Sequence, residues 1–438
     1  MMVRGIKNPL KNKNGILYLG GCSTLELAEK YDTPLYVYDE NRIRENLRNI
    51  YGAFRRNYKK FRLYYAMKAN NNPALLHILK SEGAGVDVSC PAEIYLAKKA
   101  GFSPDKMLYS GVYHRNEELA YALENNVPIN LEDISQIGRL FKIGKPKFLS
   151  LRINPGIGKG SFEGNVFAGP DAKFGIIERD VLEAYKNAKD CGVERFGIHM
   201  MTGSCVLNGD YFVEITEKLM DIAGEIANKL DIKFDFVDIG GGFGIPYMPN
   251  EKELDIDSVG KKVCEKFMEK IEEHDLGNPW LIAEPGRYLI GDAGILLTRV
   301  HSIKNGYKKF IGVDAGMNTL IRPMLYNAYH EILIANNLNS KPVEKVNIVG
   351  PVCENTDQLA KERLMPVIKE GDLLAVLNCG VYGFGMSSQY NNRPKAAEVL
   401  VSDSRHELIR KREEFDDLIS GTFVPKRLLK WKSNSQEG

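Results

Sequence analysis

The 438-residue chain has no uninterrupted apolar run near the ~18 residues that read as a membrane-spanning helix, so no span is expected. Residues 1–13 carry charge but no apolar stretch of the kind a secretory leader needs. An excess of one charge is also missing: 59 Lys and Arg stand against 57 Asp and Glu, a net charge of +2. That removes the electrostatic case for a nucleic-acid or membrane partner. The short basic stretch at 426–432 reads as a solvated terminus. The seven cysteines, at 22, 90, 191, 205, 264, 353 and 379, form no Cys-x-x-Cys pair and no Cys/His ligand spacing. A structural zinc does not fit and no metal is expected; reduced thiols in a cytoplasm fit. No internal repeat or low-complexity linker is visible.

What is present is an ordinary soluble balance, 44% apolar and 26% charged, in a chain long enough for two domains. Short apolar runs at 62–65, 85–88, 107–109, 128–130, 148–153, 196–200, 234–239 and 281–283 alternate with amphipathic helix-like stretches. Strands alternating with helices imply parallel pairing, because a parallel connection needs a crossover. Eight such units close a (β/α)₈ barrel. The flanks differ: a strand-like run at 35–37 and β-type runs from 295 to 401, with few long helical patterns between them. The expected organisation is an α/β chain with a barrel over 40–288 and a mainly antiparallel β-domain from 1–39 and 289–438. The glycine-rich stretch 156–169 reads as a loop over the barrel mouth.

Polar residues cluster at one end of the barrel runs. Lys68 follows the first, Asp87 ends the second, His199 ends the sixth, Gly240-Gly241-Gly242 follows the seventh and Glu284 the eighth. In a barrel these positions converge on the C-terminal mouth, where active sites sit. Lys68, in Tyr65-Ala66-Met67-Lys68, taken alone reads as a surface lysine past a strand end. In a partly desolvated pocket it would instead lose its proton easily and act as a Schiff-base lysine for pyridoxal phosphate. The three glycines suit either a tight turn or a backbone cradle for a phosphate. Glu284 and Arg287, in Glu284-Pro285-Gly286-Arg287, either pair with each other or serve a pyridine nitrogen and an anion.

Jointly, Tyr65-Ala66-Met67-Lys68-Ala69-Asn70, Gly240-Gly241-Gly242, Glu284-Pro285-Gly286-Arg287, Cys353-Glu354 and Tyr382-Gly383 make the chain resemble one family. It is the pyridoxal phosphate-dependent diaminopimelate/ornithine/arginine decarboxylases, and the likeness runs from about residue 35 to 425. The resemblance implies an alanine-racemase-like barrel with a β-domain, a homodimer with shared active sites, and pyridoxal 5′-phosphate on Lys68. It implies Ser204, Gly240, Gly241 and Gly242 at the phosphate, Gly286 beside the cofactor and Glu284 at the pyridine nitrogen. Asp87, His199, Arg287 and Tyr382 join them around the cofactor. Cys353 becomes a proton donor delivered from the other subunit, and Arg287, Arg322, Tyr326, Glu354 and Tyr382 become substrate contacts. Without the resemblance, Cys353 reads as a small buried hydrophobe, and Arg322 and Tyr326 as surface or packing residues.

Three stretches depart from the family pattern. The strand-six motif His-x-His-x-Gly-Ser is here His199-Met200-Met201-Thr202-Gly203-Ser204, with methionine where the second histidine stacks on the cofactor ring. A thioether packs on an aromatic face but carries no charge. The loop Ser110-Gly111-Val112-Tyr113-His114 lacks the usual Gly-Asn and lysine, and 158–165 also differs. The expected activity is decarboxylation of an amino acid with a charged far end, meso-diaminopimelate to L-lysine being favoured. Ornithine, D-lysine or a polyamine precursor are the alternative substrates, and a non-catalytic regulatory homologue is the alternative role.

Overall fold

The computed structural model of the protein describes residues 9–160 and 166–429. Residues 1–8, 161–165 of the glycine-rich loop, and 430–432 of the basic stretch lie outside the described residues.

Eight parallel strands form the first body: Phe61–Ala66, Gly85–Val88, Met107–Tyr109, Asn130–Leu131, Phe148–Asn154, Arg195–Met200, Phe234–Asp238 and Trp280–Ala283. Each pairs with the next in order, and the last returns to the first through Leu281 opposite Phe61. One parallel bridge, Tyr109 to Ile129, links the third strand to the fourth and closes the ring. Three of the strands are buried along their whole length and the other five at all but one residue, as expected of parallel strands covered on both faces. The floor of the barrel is plugged by Tyr64, Leu108, Phe236 and Ile282, with Phe148 and Trp280 packed against them. Gly85 and Gly197 make room for this plug. A Cβ there would lie 2.0 Å from Tyr64 and 2.5 Å from Phe236 respectively.

The helices read from the sequence are present, among them Pro73–Ser81, Pro91–Lys99, Gly209–Leu230 and Ile256–His274. Two more helices, Glu40–Arg55 and Ile134–Ile143, complete the ring outside the strands. Asp39 caps the first of them by accepting the Arg42 N–H at 3.2 Å.

The second body is a nine-stranded sheet built on the long strand Gly294–Asn305. That strand pairs antiparallel with Leu35–Asp39, Lys309–Val313 and Leu373–Val376. Of the eight ladders in this sheet, six are antiparallel. The two parallel ones join Lys309–Val313 to Glu344–Val349 and Leu35–Asp39 to Ala397–Ser402. The strand Gln358–Met365 was not apparent in the sequence. Its ladder slips near Glu362, which has φ +45°, so the burial pattern loses its alternation. All seven cysteines are free thiols. No described helix is long and apolar enough to cross a membrane.

Candidate active site

At the open end of the barrel lies a cavity of ≈ 410 Å³. Lys68 lines it from a short 3₁₀ turn, Met67–Ala69, at the end of the first strand. Its side chain is 48% exposed, so the amine is open to a ligand, while Asp87 beneath it is buried. Nζ donates to Asp87 Oδ2 at 2.8 Å. Burial works against the lysine's charge, but the Asp87 and Glu284 carboxylates outweigh it and hold the pKa above the ordinary lysine value. The easy loss of a proton expected from desolvation alone is therefore corrected, because the second strand sets a carboxylate opposite the amine. Burial and the charge of Glu284 push the Asp87 carboxyl up to about 6, against the pull of Lys68.

Behind this pair sits a buried relay. The Asn130 amide donates to His199 Nδ1 at 2.9 Å, which makes Nδ1 an acceptor and leaves the proton on Nε2. Nε2 then donates to Glu284 Oε2 at 3.2 Å. Burial tends to raise Glu284, but His199, Lys68 and Arg152 prevail and hold it below the usual carboxylate value. Asp238, at the end of the seventh strand, shifts the other way. Burial and the adjacent Glu284 raise it far above its ordinary value, although the Gly240 N–H donates to its Oδ1 at 2.8 Å. Of these two carboxyls Glu284 is the ionised one and Asp238 the better proton holder.

The glycine loop is required first by the protein itself. Gly240 and Gly242 have φ of +69° and +95°. A Cβ on Gly240 would meet Met200 O at 2.2 Å and one on Gly241 would meet Glu284 O at 2.3 Å, so the loop is tucked between the sixth and eighth strands. Met201 lines the cavity, and its sulfur accepts the Gly241 N–H at 3.2 Å.

The opposite wall is basic. Arg287 is buried, donating to the Tyr247 hydroxyl at 2.5 Å and to Ser204 Oγ at 3.4 Å. Arg322, also buried, donates to His330 Nε2 at 2.8 Å, and its guanidinium lies 4.7 Å from the Tyr247 ring centroid. Among the described residues neither arginine has a carboxylate partner within ion-pair distance. Tyr326 and Tyr382 complete this wall. Tyr382 has φ +53° and donates its N–H to Ala69 O at 2.8 Å, which ties it to the Lys68 turn. Gly286 packs close by, where a Cβ would stand 3.0 Å from Ala69 Cβ.

Residues 42–291, more than half of the chain, match the family described as pyridoxal-dependent decarboxylase, pyridoxal binding domain. The chain belongs to the pyridoxal-dependent decarboxylases. It is 48% identical over 420 residues to a diaminopimelate decarboxylase of Methanothermobacter thermautotrophicus, covering 96% of this chain and 98% of the relative. It is 40% identical over 424 residues to that of Aquifex aeolicus, covering 94% and 97%. Among solved structures it is similar to the diaminopimelate decarboxylase of Methanocaldococcus jannaschii in complex with L-lysine. There the TM-score is 0.87 at 32% identity, over 96% of this chain and 99% of the other.

The residues of this decarboxylase fit pyridoxal phosphate. Asp87 Oδ1 and Glu284 Oε1, two acceptors behind Lys68, and Arg287 Nε, on a residue that lines the cavity, are buried without a protein hydrogen bond. A cofactor with a phosphate, a protonated ring nitrogen and an aldehyde has complementary groups for Arg287, Glu284 and Lys68. Cys353 and Glu354 are not brought to this cavity. Both are exposed, Cys353 donating its N–H to Asn391 Oδ1 at 2.7 Å and Glu354 accepting from the Tyr390 hydroxyl at 2.6 Å. Cys353 is thus no buried hydrophobe, and Arg322 is no surface residue.

Sequence reasoning passed over Arg152, Asp238, Tyr247 and His330. Arg152 lines the cavity from the fifth strand, where Ser150, Arg152 and Asn154 alternate with Leu149, Leu151 and Ile153. That alternation inside an apolar run was a readable sign of an inward polar face. Tyr247 and His330 carried no such signal.

Proposed function

We propose that this chain is a pyridoxal phosphate-dependent diaminopimelate decarboxylase, converting meso-diaminopimelate to L-lysine and CO₂ as a homodimer with shared active sites. One observation carries the reading. A single cavity offers an accessible lysine on one wall and, on the other, a buried arginine with no acidic partner among the described residues. The near-full-length likeness to enzymes named diaminopimelate decarboxylase supports the same substrate.

When bound, the cofactor supplies the electron sink that stabilises the carbon left behind as CO₂ departs. Lys68 anchors it through its amine, and Asp87 is placed to take or return the Lys68 proton. Glu284, kept ionised by its neighbours, offers its free oxygen to the ring nitrogen. His199 holds that carboxylate in position through its other oxygen. Arg287, Ser204 and the loop of Gly240, Gly241 and Gly242, with Gly286, hold the phosphate. Arg322, Tyr326 and Tyr382, joined by Glu354 from a second copy of the chain, receive the substrate's far amine and carboxylate. Cys353, delivered from a second copy of the chain, returns a proton to the carbon. Ornithine has no far carboxylate and would leave the buried charge of Arg322 unanswered.

The test is CO₂ release from meso-diaminopimelate, with ornithine, D-lysine and L-lysine run alongside at saturating pyridoxal phosphate. Release from meso-diaminopimelate alone is expected. Release from one of the other three with none from meso-diaminopimelate would keep the reaction type and overturn the substrate.

A further inference from the structure

Arg287 and Arg322, on the wall opposite Lys68, are buried, and both are held by neutral groups. For Arg322 the holding group is His330, which is 0% exposed and has no role in the reading above. Its hydrogen bonds settle its state. Nδ1 lies 2.7 Å from Leu377 O, and a carbonyl only accepts, so Nδ1 carries a proton. Nε2 lies 2.8 Å from an Arg322 Nη1, and a guanidinium only donates, so Nε2 carries none. A ring that donates at one nitrogen and accepts at the other is a neutral imidazole. The surroundings reinforce this: burial, then Arg322 and the other nearby arginines, lower its pKa to about 3. Tyr247 stands edge-on to the same ring, centroids 5.2 Å apart at 84°, while its hydroxyl takes Arg287.

The choice of a histidine here has a chemical consequence. A carboxylate at the same place would orient Arg322 equally well but would neutralise it, and a neutralised arginine is a poor receptor for a second anion. An apolar residue would leave the charge intact and the guanidinium unheld. We propose that His330 is the positioning residue of the far-carboxylate receptor: it orients Arg322 through Nε2 and leaves the full positive charge for the ligand. His330 thereby acts as a specificity determinant for ligands that carry a carboxylate at the far end. This rests on the diaminopimelate reading of the cavity.

The experiment compares two ligands on the cofactor-loaded enzyme: L-lysine, and 1,5-diaminopentane, which differs from it by one carboxylate. The quantity read is the ratio of their affinities, from calorimetry or from competition with substrate. Wild type is expected to favour L-lysine. His330→Glu is expected to cut that ratio at least tenfold and to raise KM for meso-diaminopimelate far more than it lowers kcat, with the cofactor's visible absorbance unchanged. If His330→Glu does not fold, His330→Gln and His330→Leu decide. Gln retains a neutral acceptor and should keep the ratio within about threefold, whereas Leu should lose it. An unchanged ratio in His330→Glu, or equal ratios in Gln and Leu, overturns the proposal. Wild-type turnover separates the two failures. An enzyme that decarboxylates meso-diaminopimelate with a His330-insensitive ratio sinks only this inference, and one that does not decarboxylate it sinks the reading beneath.

Discussion

The two walls of the cavity treat charge in opposite ways. On the lysine wall a cation and carboxylates stand together: Lys68 pairs with Asp87 and feels the charge of Glu284, which His199 holds by a hydrogen bond. On the arginine wall the partners are hydroxyls, an aromatic face and a neutral imidazole, so two buried cations keep their charge. The first wall is a self-contained proton and charge store. The second is a pair of buried cations with no carboxylate beside them among the described residues, an arrangement that is costly unless an anion completes it. A site that must hold a cofactor through one amine, and also select a substrate by a distant carboxylate, needs both kinds of wall.

Breaking the lysine wall should have the largest effect. Lys68→Ala is expected to abolish CO₂ release and the visible absorbance of bound cofactor together; a variant with normal turnover would remove the mechanism. On the other wall, Arg322→Gln should raise KM for meso-diaminopimelate about 10–100-fold with a smaller change in kcat. That is the loss of a charged hydrogen bond worth about 1.5–3 kcal/mol, read by steady-state kinetics. Cys353→Ala should slow turnover while leaving the cofactor absorbance. Reassociated with Lys68→Ala, it should recover roughly a quarter of wild-type activity, because half the dimers then carry one intact shared site. Zero recovery, with mixed dimers present, would rule out sharing.

The walls also differ in how they answer pH. Lys68 is held protonated above its ordinary range, and only the neutral amine takes up an aldehyde. Cofactor loading of stripped protein should therefore accelerate about tenfold per pH unit below the Lys68 pKa. In Asp87→Asn the same curve should lie at lower pH, which stopped-flow absorbance will detect. The last effect concerns stability and is confined to acid pH. His330 titrates near 6.5 when unfolded but only at about 3 when folded, so below pH 6.5 the unfolded chain binds the extra proton. Native stability is then lost as pH falls through that window, by about 1.4 kcal/mol per pH unit for one proton. His330→Gln should flatten the acid limb by that slope in urea unfolding.

The barrel was legible because its signal is local. Each strand is a short apolar run ended by a polar residue, and the eight runs read from the sequence match the eight observed strands to within a few residues. The same locality made Lys68, Glu284 and the glycines stand out. Their electrostatics were not legible, since the pairing of Lys68 with Asp87 depends on how neighbouring strands face each other. The arginine wall was harder still. Arg322 and His330 follow the barrel, Tyr247 comes from the loop after the seventh strand, and no periodicity links them. The strand Gln358–Met365 escaped because a bulge breaks its alternation.

The parallel pairing of Leu35–Asp39 with Ala397–Ser402 bears on how the chain is made. During synthesis the early strand leaves the ribosome with a bare edge, and its partner Gly294–Asn305 follows only after the whole barrel. At ~5–20 residues per second that wait lasts some tens of seconds. The barrel carrying Lys68 and Glu284 is complete first, while Arg322 and Tyr382 arrive with the closing sheet. With the roles proposed above, a nascent chain acquires its cofactor anchor before its substrate receptor, and an unpaired edge strand is the exposure that a holding chaperone would cover in the interval.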